Sequence, residues 1–316
     1  VTALTLLESA KAAENPVQRA LYQELSLGEL SGLIPFENTP GPGVFYNKVA
    51  KLPQVAFRGT NEVNDPDYGI INPQSEAYKM MQADIDVDLF QLRTEGPEAR
   101  INQITMQMES MRFLLEDRFI NVDEAVNNRE FDGLRKRINV GSSQAINASG
   151  ALSLAALDEL NDATDALGGR KVFIMNQQVG RRIAAAARNN GLSGLYTTDL
   201  NEFGRRARFY DGVEIVTTKV NGQNLPIQPF TENANGIDPT GGATTSIYCV
   251  AFGPNLVTMH QGRMQDGTFG PTLRPLGEQG DGVVDRTRFE WDILMTIKNG
   301  RSASRLYGVT NAAVVA

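Results

Sequence analysis

ARINQITMQMESMRFLLEDRFINVD, residues 99–123, decides how the rest of the chain is read. Apolar side chains fall at Ile101, Ile104, Met108, Met111, Leu115, Phe119, Val122 and, just beyond, Val126, in steps of 3, 4, 3, 4, 4, 3 and 4. That spacing keeps them on one face of an α-helix. Pro97 suits the first helical position, where its missing N–H costs nothing. A helix over residues 97–128 would run about 48 Å at 1.5 Å per residue, far beyond the usual three turns or so. One so long, with a single apolar stripe, is a spine on which other elements lie.

N-terminal to it, residues 4–13 and 17–30 are two short helical patterns broken at Pro16, whose ring removes an N–H and clashes with the preceding turn. Pro35, Pro40 and Pro42 with Gly41 and Gly43 read as a linker. Residues 44–58 and 76–92 then read as the strands of a long hairpin with an open, polar tip. The second alternates Ile85, Val87 and Leu89 against Asp84, Asp86 and Asp88. A lone hairpin is marginal in water, so this one is expected to rest on something else.

C-terminal to the spine, beyond Gly150, the texture changes to short α/β units. Ser153 can cap a helix carrying Leu154, Leu157, Leu160 and Leu167, stopped by Gly168-Gly169. Residues 171–175 (KVFIM) are a buried strand, and Asn176 caps an Ala/Arg-rich helix ending at Asn189-Asn190-Gly191. Asp211-Gly212 is a turn into another strand, residues 221–242 are loop, and strands are expected over 245–252, 256–261, 285–297 and 305–309.

The composition mostly subtracts. The chain has 316 residues, a net charge of −7, 41% hydrophobic and 21% charged residues, which is ordinary globular composition. Its length sets a prior of roughly two domains. One cysteine, Cys249, forbids an intrachain disulfide and Cys-rich metal sites; one histidine, His260, forbids multi-His metal centres. The acidic balance argues against a dedicated DNA-binding protein. No apolar run reaches the roughly 18 residues of a membrane span. The N-terminus lacks a basic flank and carries Glu8 and Glu14, unlike a secretory signal. Beginning at Val1 fits loss of an initiator Met or of a longer leader.

Catalytic motifs are missing from the text. There is no Gly-Lys dipeptide and hence no P-loop. Gly41-Pro42-Gly43 and Gly280-Asp281-Gly282 lack the third glycine of a dinucleotide fingerprint, and Gly191-Leu192-Ser193-Gly194 reads as a helix C-terminal turn rather than a nucleophile elbow. His260 has no nucleophile near it in sequence, so a structural role outweighs a catalytic one. Cys249, among Ile247, Tyr248 and Val250, reads as a buried, inert thiol. Asp84-x-Asp86-x-Asp88 lacks the glycine and terminal Glu of a calcium loop, and strand alternation explains it. Arg181, Arg182 and Arg188 read as a solvated helix face, while Arg205, Arg206 and Arg208 form a second cluster without interleaved aromatics. The 37 carboxylates are enough for a paired acid/base site of glycosidase type, and no spacing locates one. No catalytic, cofactor-binding or metal residue is expected.

The order of parts carries more than any motif. VAFRGTNE on the hairpin, the spine at 99–123, KVFIMNQQVGRRIAAAAR at 171–188, TTSIYCVAFGPNLVTMHQG at 244–262 and RTRFEWDILMTIKNGRSASRLYGV at 286–309 together resemble the major capsid proteins of tailed bacteriophages, the Hong Kong 97-type fold. The resemblance covers nearly the whole chain. It implies an α+β phage-capsid fold: N-terminal arm and linker over 1–43, extended hairpin loop over 44–92, peripheral domain with the spine helix over 93–150, axial domain over 151–252, and closing strands of both domains over 253–316.

That resemblance implies a structural protein, not an enzyme, which self-assembles as pentamers and hexamers into an icosahedral head enclosing double-stranded DNA. Implied partners are copies of itself, portal, scaffolding and decoration proteins, and packaged DNA through non-specific contacts; no membrane and no cofactor are implied, and the location is the virion, assembled in the host cytoplasm. Subunit-contact candidates are Lys48, Lys51, Arg58 and Glu62 on the hairpin, and Arg205, Arg206 and Arg208 in the axial domain. The first 92 residues show little core of their own, so Leu4, Leu7, Leu21, Val44, Phe45 and Phe57 are expected to find burial in neighbours. No partner asparagine or activating carboxylate can be matched for a Lys–Asn cross-link, and no scaffolding-like coiled coil precedes the arm. The alternatives are an encapsulin-like compartment, against which the turn-rich hairpin and the 262–282 insertion weigh, and, from another class, a soluble carboxylate-dependent enzyme.

Overall fold

The computed structural model describes residues 3–166, 168–190, 196–200, 204, 206–280 and 282–315. Strand β1 (Leu4–Thr5) turns directly into helix α1 (Leu6–Ala12). Thr5 and Glu8 form a reciprocal capping box: the Thr5 hydroxyl accepts from the Glu8 N–H, and the Glu8 carboxylate accepts from the Thr5 N–H at 2.8 Å. Pro16 separates the two helices as expected, but by starting the second, α2 (Pro16–Leu25), with Asn15 as its side-chain cap. The expected linker instead holds β2 (Pro35–Asn38), parallel to β12 (Val257–Gln261). Proline is tolerated at the first residue of a strand, and the next side chain, Phe36, stacks on Trp291 with ring centroids 5.3 Å apart.

The hairpin is re-paired relative to expectation. β3 (Gly43–Lys51) lies antiparallel to β4 (Ile70–Ala77), Gly43 opposite Ala77 and Asn47 opposite Pro73. The alternating stretch is a separate strand, β5 (Lys79–Asp88), along β14 (Val284–Ile297) from Val284↔Asp88 to Ile293↔Lys79. Complementarity explains the choice: Asp86 takes a two-pronged contact from Arg286 at 2.6 Å, and Asp84 one from Arg288 at 2.6 and 2.9 Å, while Ile85 and Val87 are buried on the other face. The strand stops short of Leu92 because Asp88 caps α3 (Leu89–Thr94), accepting from the Phe90 N–H at 2.6 Å.

The spine is α4 (Glu98–Asn121), about 36 Å long. Pro97 is its N-cap. It ends seven residues before Asn128, because Asp123 accepts the Ala125 N–H and organises a turn instead. Met108, Met111, Leu115 and Phe119 of the expected stripe are buried, whereas Ile101 and Val126 are exposed. Next come α5 (Leu134–Arg137), β6 (Ala145–Gly150), and α6 (Leu154–Ala163), which Ser153 caps at 3.1 Å. β7 (Arg170–Asn176) and α7 (Gln177–Asn190) follow, the Asn176 side chain accepting from the Gln178 N–H at 2.7 Å. β8 (Tyr196–Leu200), β9 (Arg206–Tyr210), β10 (Val213–Thr218), β11 (Thr244–Phe252), β12, β13 (Thr272–Glu278), β14 and β15 (Ala303–Thr310) complete the chain. Asp211 and Gly212 make the two-residue β9–β10 turn with φ of 49° and 74°, the left-handed pair that such a hairpin needs. Val1, Leu167, residues 191–194, Arg205 and Asp281 lie outside the described residues.

One 13-stranded sheet runs β1-β2-β12-β11-β7-β10-β9-β8, with β14 beside β12, β13 and β5 joined to β14, and β15 and then β6 joined to β11. It separates two hydrophobic cores. Val172 and Ile174 of β7 and Tyr248 and Val250 of β11 face the core under the spine, while Phe173, Met175, Ile247 and Cys249 face the core beneath α6 and α7. A strand buried on both sides reads as an unbroken apolar run, as KVFIM does. The arm belongs to the first core: Leu6, Ala10, Leu21, Tyr22 and Leu25 are buried in their own subunit. Leu21 and Val44, expected to await a neighbour, are therefore already covered.

A buried carboxylate fastens the arm to the spine. Glu116 of α4 accepts the Ser31 N–H at 3.2 Å, and Gly28 lies so close that a Cβ there would come within 2.1 Å of its Oε1. Burial pushes the carboxyl upward, against the pull of the Ser31 contacts and Arg112. A raised acid pKa means the folded subunit gains stability as pH falls and loses it as pH rises. Glu116→Gln keeps an acceptor for Ser31 without the charge, so it is expected to melt at or above the parent temperature at pH 8, with the advantage shrinking at pH 5. Glu116→Ala, which leaves the Ser31 N–H without a partner, is expected to lose about 1–3 kcal/mol. Thermal denaturation at both pH values checks the pair.

Candidate assembly surface

Among the described residues, β3 and β4 are the only strands outside the large sheet. Its strands and the tip between them, residues 52–69, leave apolar side chains in water: Phe45 is 79% and Val55 92% exposed, and Phe57, Val63 and Tyr68 project similarly. Isolated exposed apolar residues are normal, but this many on one projecting element mark a contact surface.

The tip has order of its own. Lys51 pairs with Asp67 at 2.6 Å, and Asp67 also accepts the Gln54 N–H at 2.8 Å; the Lys51 contact, then the Gln54 one, holds the Asp67 carboxyl below its usual range. Arg58 donates to the Glu62 carbonyl at 3.2 Å, and the Glu62 carboxylate accepts the Gly59 N–H at 2.8 Å. Lys51, Arg58 and Glu62 thus shape the tip of their own subunit. Lys48 makes no ion pair among the described residues and borders a groove of about 1,570 Å³ between the ribbon and the body. Arg206 and Arg208 stand exposed on β9, cross-strand from Leu200 and Thr198. The expected contact residues therefore fall in two places, the ribbon and the β8–β9 edge.

At the root of the ribbon is a cluster that the sequence did not announce. Glu76 of β4 takes both prongs of Arg137 from α5, at 2.9 and 2.5 Å, and accepts the Tyr46 hydroxyl of β3 at 2.6 Å. Arg137 also donates to the carbonyls of Met295 at 2.9 Å and Asp132 at 2.8 Å. Burial and the Glu76 contact push the Tyr46 phenol up to about 12, so it stays a donor. Arg137 sits in the run LRKR, which by composition looks like a solvated face.

The single imidazole is structural. His260 is buried between Thr39 at 3.0 Å from Nδ1 and Thr296 at 2.9 Å from Nε2. Thr296 donates its own hydrogen to the Thr258 carbonyl at 3.4 Å, so Nε2–H donates to Thr296 and Nδ1 accepts from Thr39. Cys249 is buried, and desolvation pushes its thiol up to about 11, out of the reactive range. Asp84 and Asp86 are occupied by arginines, and among the described residues no three His, Cys, Asp or Glu side chains gather to hold a metal. Arg181, Arg182 and Arg188 are exposed on α7, a solvated face as read.

No protein-family model matches the sequence, and no match is found among curated proteins. Solved structures do match over almost the whole chain. The SrpI encapsulin from Synechococcus elongatus is 17% identical with a TM-score of 0.66, covering 91% of this chain and 89% of that one. The capsid of a native GTA particle is 12% identical with a TM-score of 0.59, covering 91% of each chain. A chain of Microbacterium phage Oxtober96 is 10% identical with a TM-score of 0.56, covering 89% of this chain and 90% of that one. Matching over about nine-tenths of its length, the chain has the α+β fold of the Hong Kong 97 type.

Proposed function

We propose that this chain is a shell subunit, the major capsid protein of a tailed bacteriophage, which assembles as pentamers and hexamers into an icosahedral head around double-stranded DNA. The ribbon carries the reading: an ordered element that exposes Phe45, Val55, Phe57 and Val63 and has no core of its own. Burying each such side chain against a neighbour is worth about 1.5–3 kcal/mol, and an extended element reaching one way makes the heterologous contacts that close into rings. In this reading Lys48, Lys51, Arg58 and Glu62 meet one neighbour through the ribbon, and Arg205, Arg206 and Arg208 meet another near the capsomer axis. Portal, scaffolding and decoration proteins are the further partners, and the virion is the location. Net charge −7 suits a wall against which DNA must slide, since each cationic phosphate contact would add salt-sensitive adhesion.

A second reading, a protein-filled compartment, draws on the 0.66 TM-score to an encapsulin. Negative-stain microscopy of the purified chain tests both, with uniform shells expected; a compact monomer by light scattering would overturn them and favour a soluble enzyme. Particles recovered from the native source should hold nuclease-protected DNA, whereas a defined protein cargo without DNA would move the assignment to the compartment. Replacing residues 52–69 by an Asn-Gly turn should abolish shells and leave the melting temperature of the body unchanged; normal shells from this variant would remove the ribbon from the mechanism.

A further inference from the structure

Among the described residues, the ribbon is joined to the body by one ion pair, at its root. Its strands extend about 27 Å from Gly43 and Ala77 at roughly 3.3 Å per residue, so a rotation of about 10° there moves the far end by about 5 Å. Ladder pairing does not set that angle, because neither strand pairs with the 13-stranded sheet. Continuity through Tyr78 into β5 and the burial of Val44 locate the root, and side-chain contacts surround it there. Arg137 grips Glu76 with both prongs of its planar fork, and the same guanidinium binds the Met295 carbonyl of β14 and the Asp132 carbonyl after the spine. Tyr46 closes the cluster from the other strand of the ribbon. A two-pronged contact fixes a plane as well as a distance, and Arg137 is largely withdrawn from solvent, with 13% of its side chain exposed. Burial raises the Glu76 carboxyl and the Arg137 contacts lower it, for a net downward shift, so the pair stays ionised.

We propose that Arg137, Glu76 and Tyr46 form a clasp that sets the angle at which the ribbon leaves the body, and thereby the curvature at which neighbouring copies join. The second half rests on the shell reading above; the first does not. Neither Arg137 nor Glu76 belongs to a buried hydrophobic cluster, while Tyr46 packs against the edge of the one beneath the spine. The clasp therefore sits at the margin of the core, as a positioning device.

The test uses two variants, Glu76→Gln, which keeps the shape and removes the charge, and Arg137→Lys, which keeps the charge and removes the fork. Spin labels at Asp65→Cys in the tip and Gln103→Cys on the spine report the ribbon angle by pulsed electron resonance in unassembled subunits, and the buried Cys249 stays unlabelled. The parent should give one narrow distance distribution and both variants one at least about twice as wide, measured at a temperature where each variant is fully folded. Parent-like widths in both variants overturn the clasp. In a second arm, shells of each variant are sized by electron microscopy. Mixed diameters or open sheets are expected, and uniform shells of parental diameter overturn the link to curvature. If the parent itself forms no shells, the shell reading fails and the distance measurement still decides the clasp.

Discussion

Arg305→Met is expected to lower the unfolding free energy of the subunit by about 3–5 kcal/mol, the cost of leaving one member of a buried ion pair alone. Arg305 of β15 is 1% exposed and its partner Glu232 2%. The guanidinium donates to Glu232, to the Gly236 carbonyl at 2.7 Å and to the Ser246 hydroxyl at 3.0 Å, and Ser246 in turn donates to Glu232 at 2.5 Å. The rings of Tyr248 and Tyr307 each lie 5.9 Å away. Removing the cation leaves Glu232 with Arg135 at 3.9 Å as its remaining basic neighbour. The network organises a whole loop: Glu232 exchanges backbone hydrogen bonds with Thr244 at 3.0 and 3.1 Å, tying residues 221–243 to the start of β11. Urea denaturation checks the loss. The double variant Arg305→Met, Glu232→Leu should recover most of it, because the stranded charge goes too. A loss below about 1 kcal/mol in the single variant would show that the pair is not isolated from water as its burial indicates.

The other large effect is an acid limb of stability set by His260. Burial, and then the positive charge of Lys298, push its pKa down to about 4, with Glu37 and Glu76 pulling weakly the other way. Between about 6.5, the ordinary histidine value, and 4 the unfolded chain binds a proton that the folded chain refuses. Stability from this group is therefore complete above pH 6.5 and is lost as pH falls toward 4, by roughly 3 kcal/mol. The structural cause is burial: the imidazole is 1% exposed, and a charge on it would lose its hydration. Urea midpoints measured from pH 7 to 4 should fall steeply for the parent, and the fall should be shallower by that amount in His260→Gln. An unchanged slope in the variant would assign the acid limb to carboxylates instead.

Helix periodicity on the spine, the capping chemistry of Ser153 and Asn176, and the Asp211-Gly212 turn were legible because each is a local arrangement, decided by residues no more than four apart. Errors arose where the deciding partner was distant in sequence. Residues 76–92 look like half of a hairpin until Arg286 and Arg288, some 200 positions later, supply the charges that Asp84 and Asp86 require. Pro35 looks like a linker residue until Trp291 offers Phe36 a ring to stack on. On the candidate surface, exposed Phe45 and Phe57 were readable as apolar residues of a strand with little core of its own, whereas Arg137 was hidden inside a basic run that composition assigns to solvent.

One cysteine and one histidine closed off intrachain disulfides, Cys-rich metal sites and multi-histidine centres before any fold was considered, and the order of helical, alternating and buried segments led to the architecture. Those properties depend on residue type and short-range spacing, which the linear text contains in full. Tertiary structure alone decided that the arm fills its own subunit's core, that the ribbon is Gly43–Lys51 against Ile70–Ala77, and that His260, Arg305 and Arg137 are fixed by partners far along the chain. Burial and long-range pairing depend on which surfaces meet after folding, and spacing along the chain does not encode that meeting.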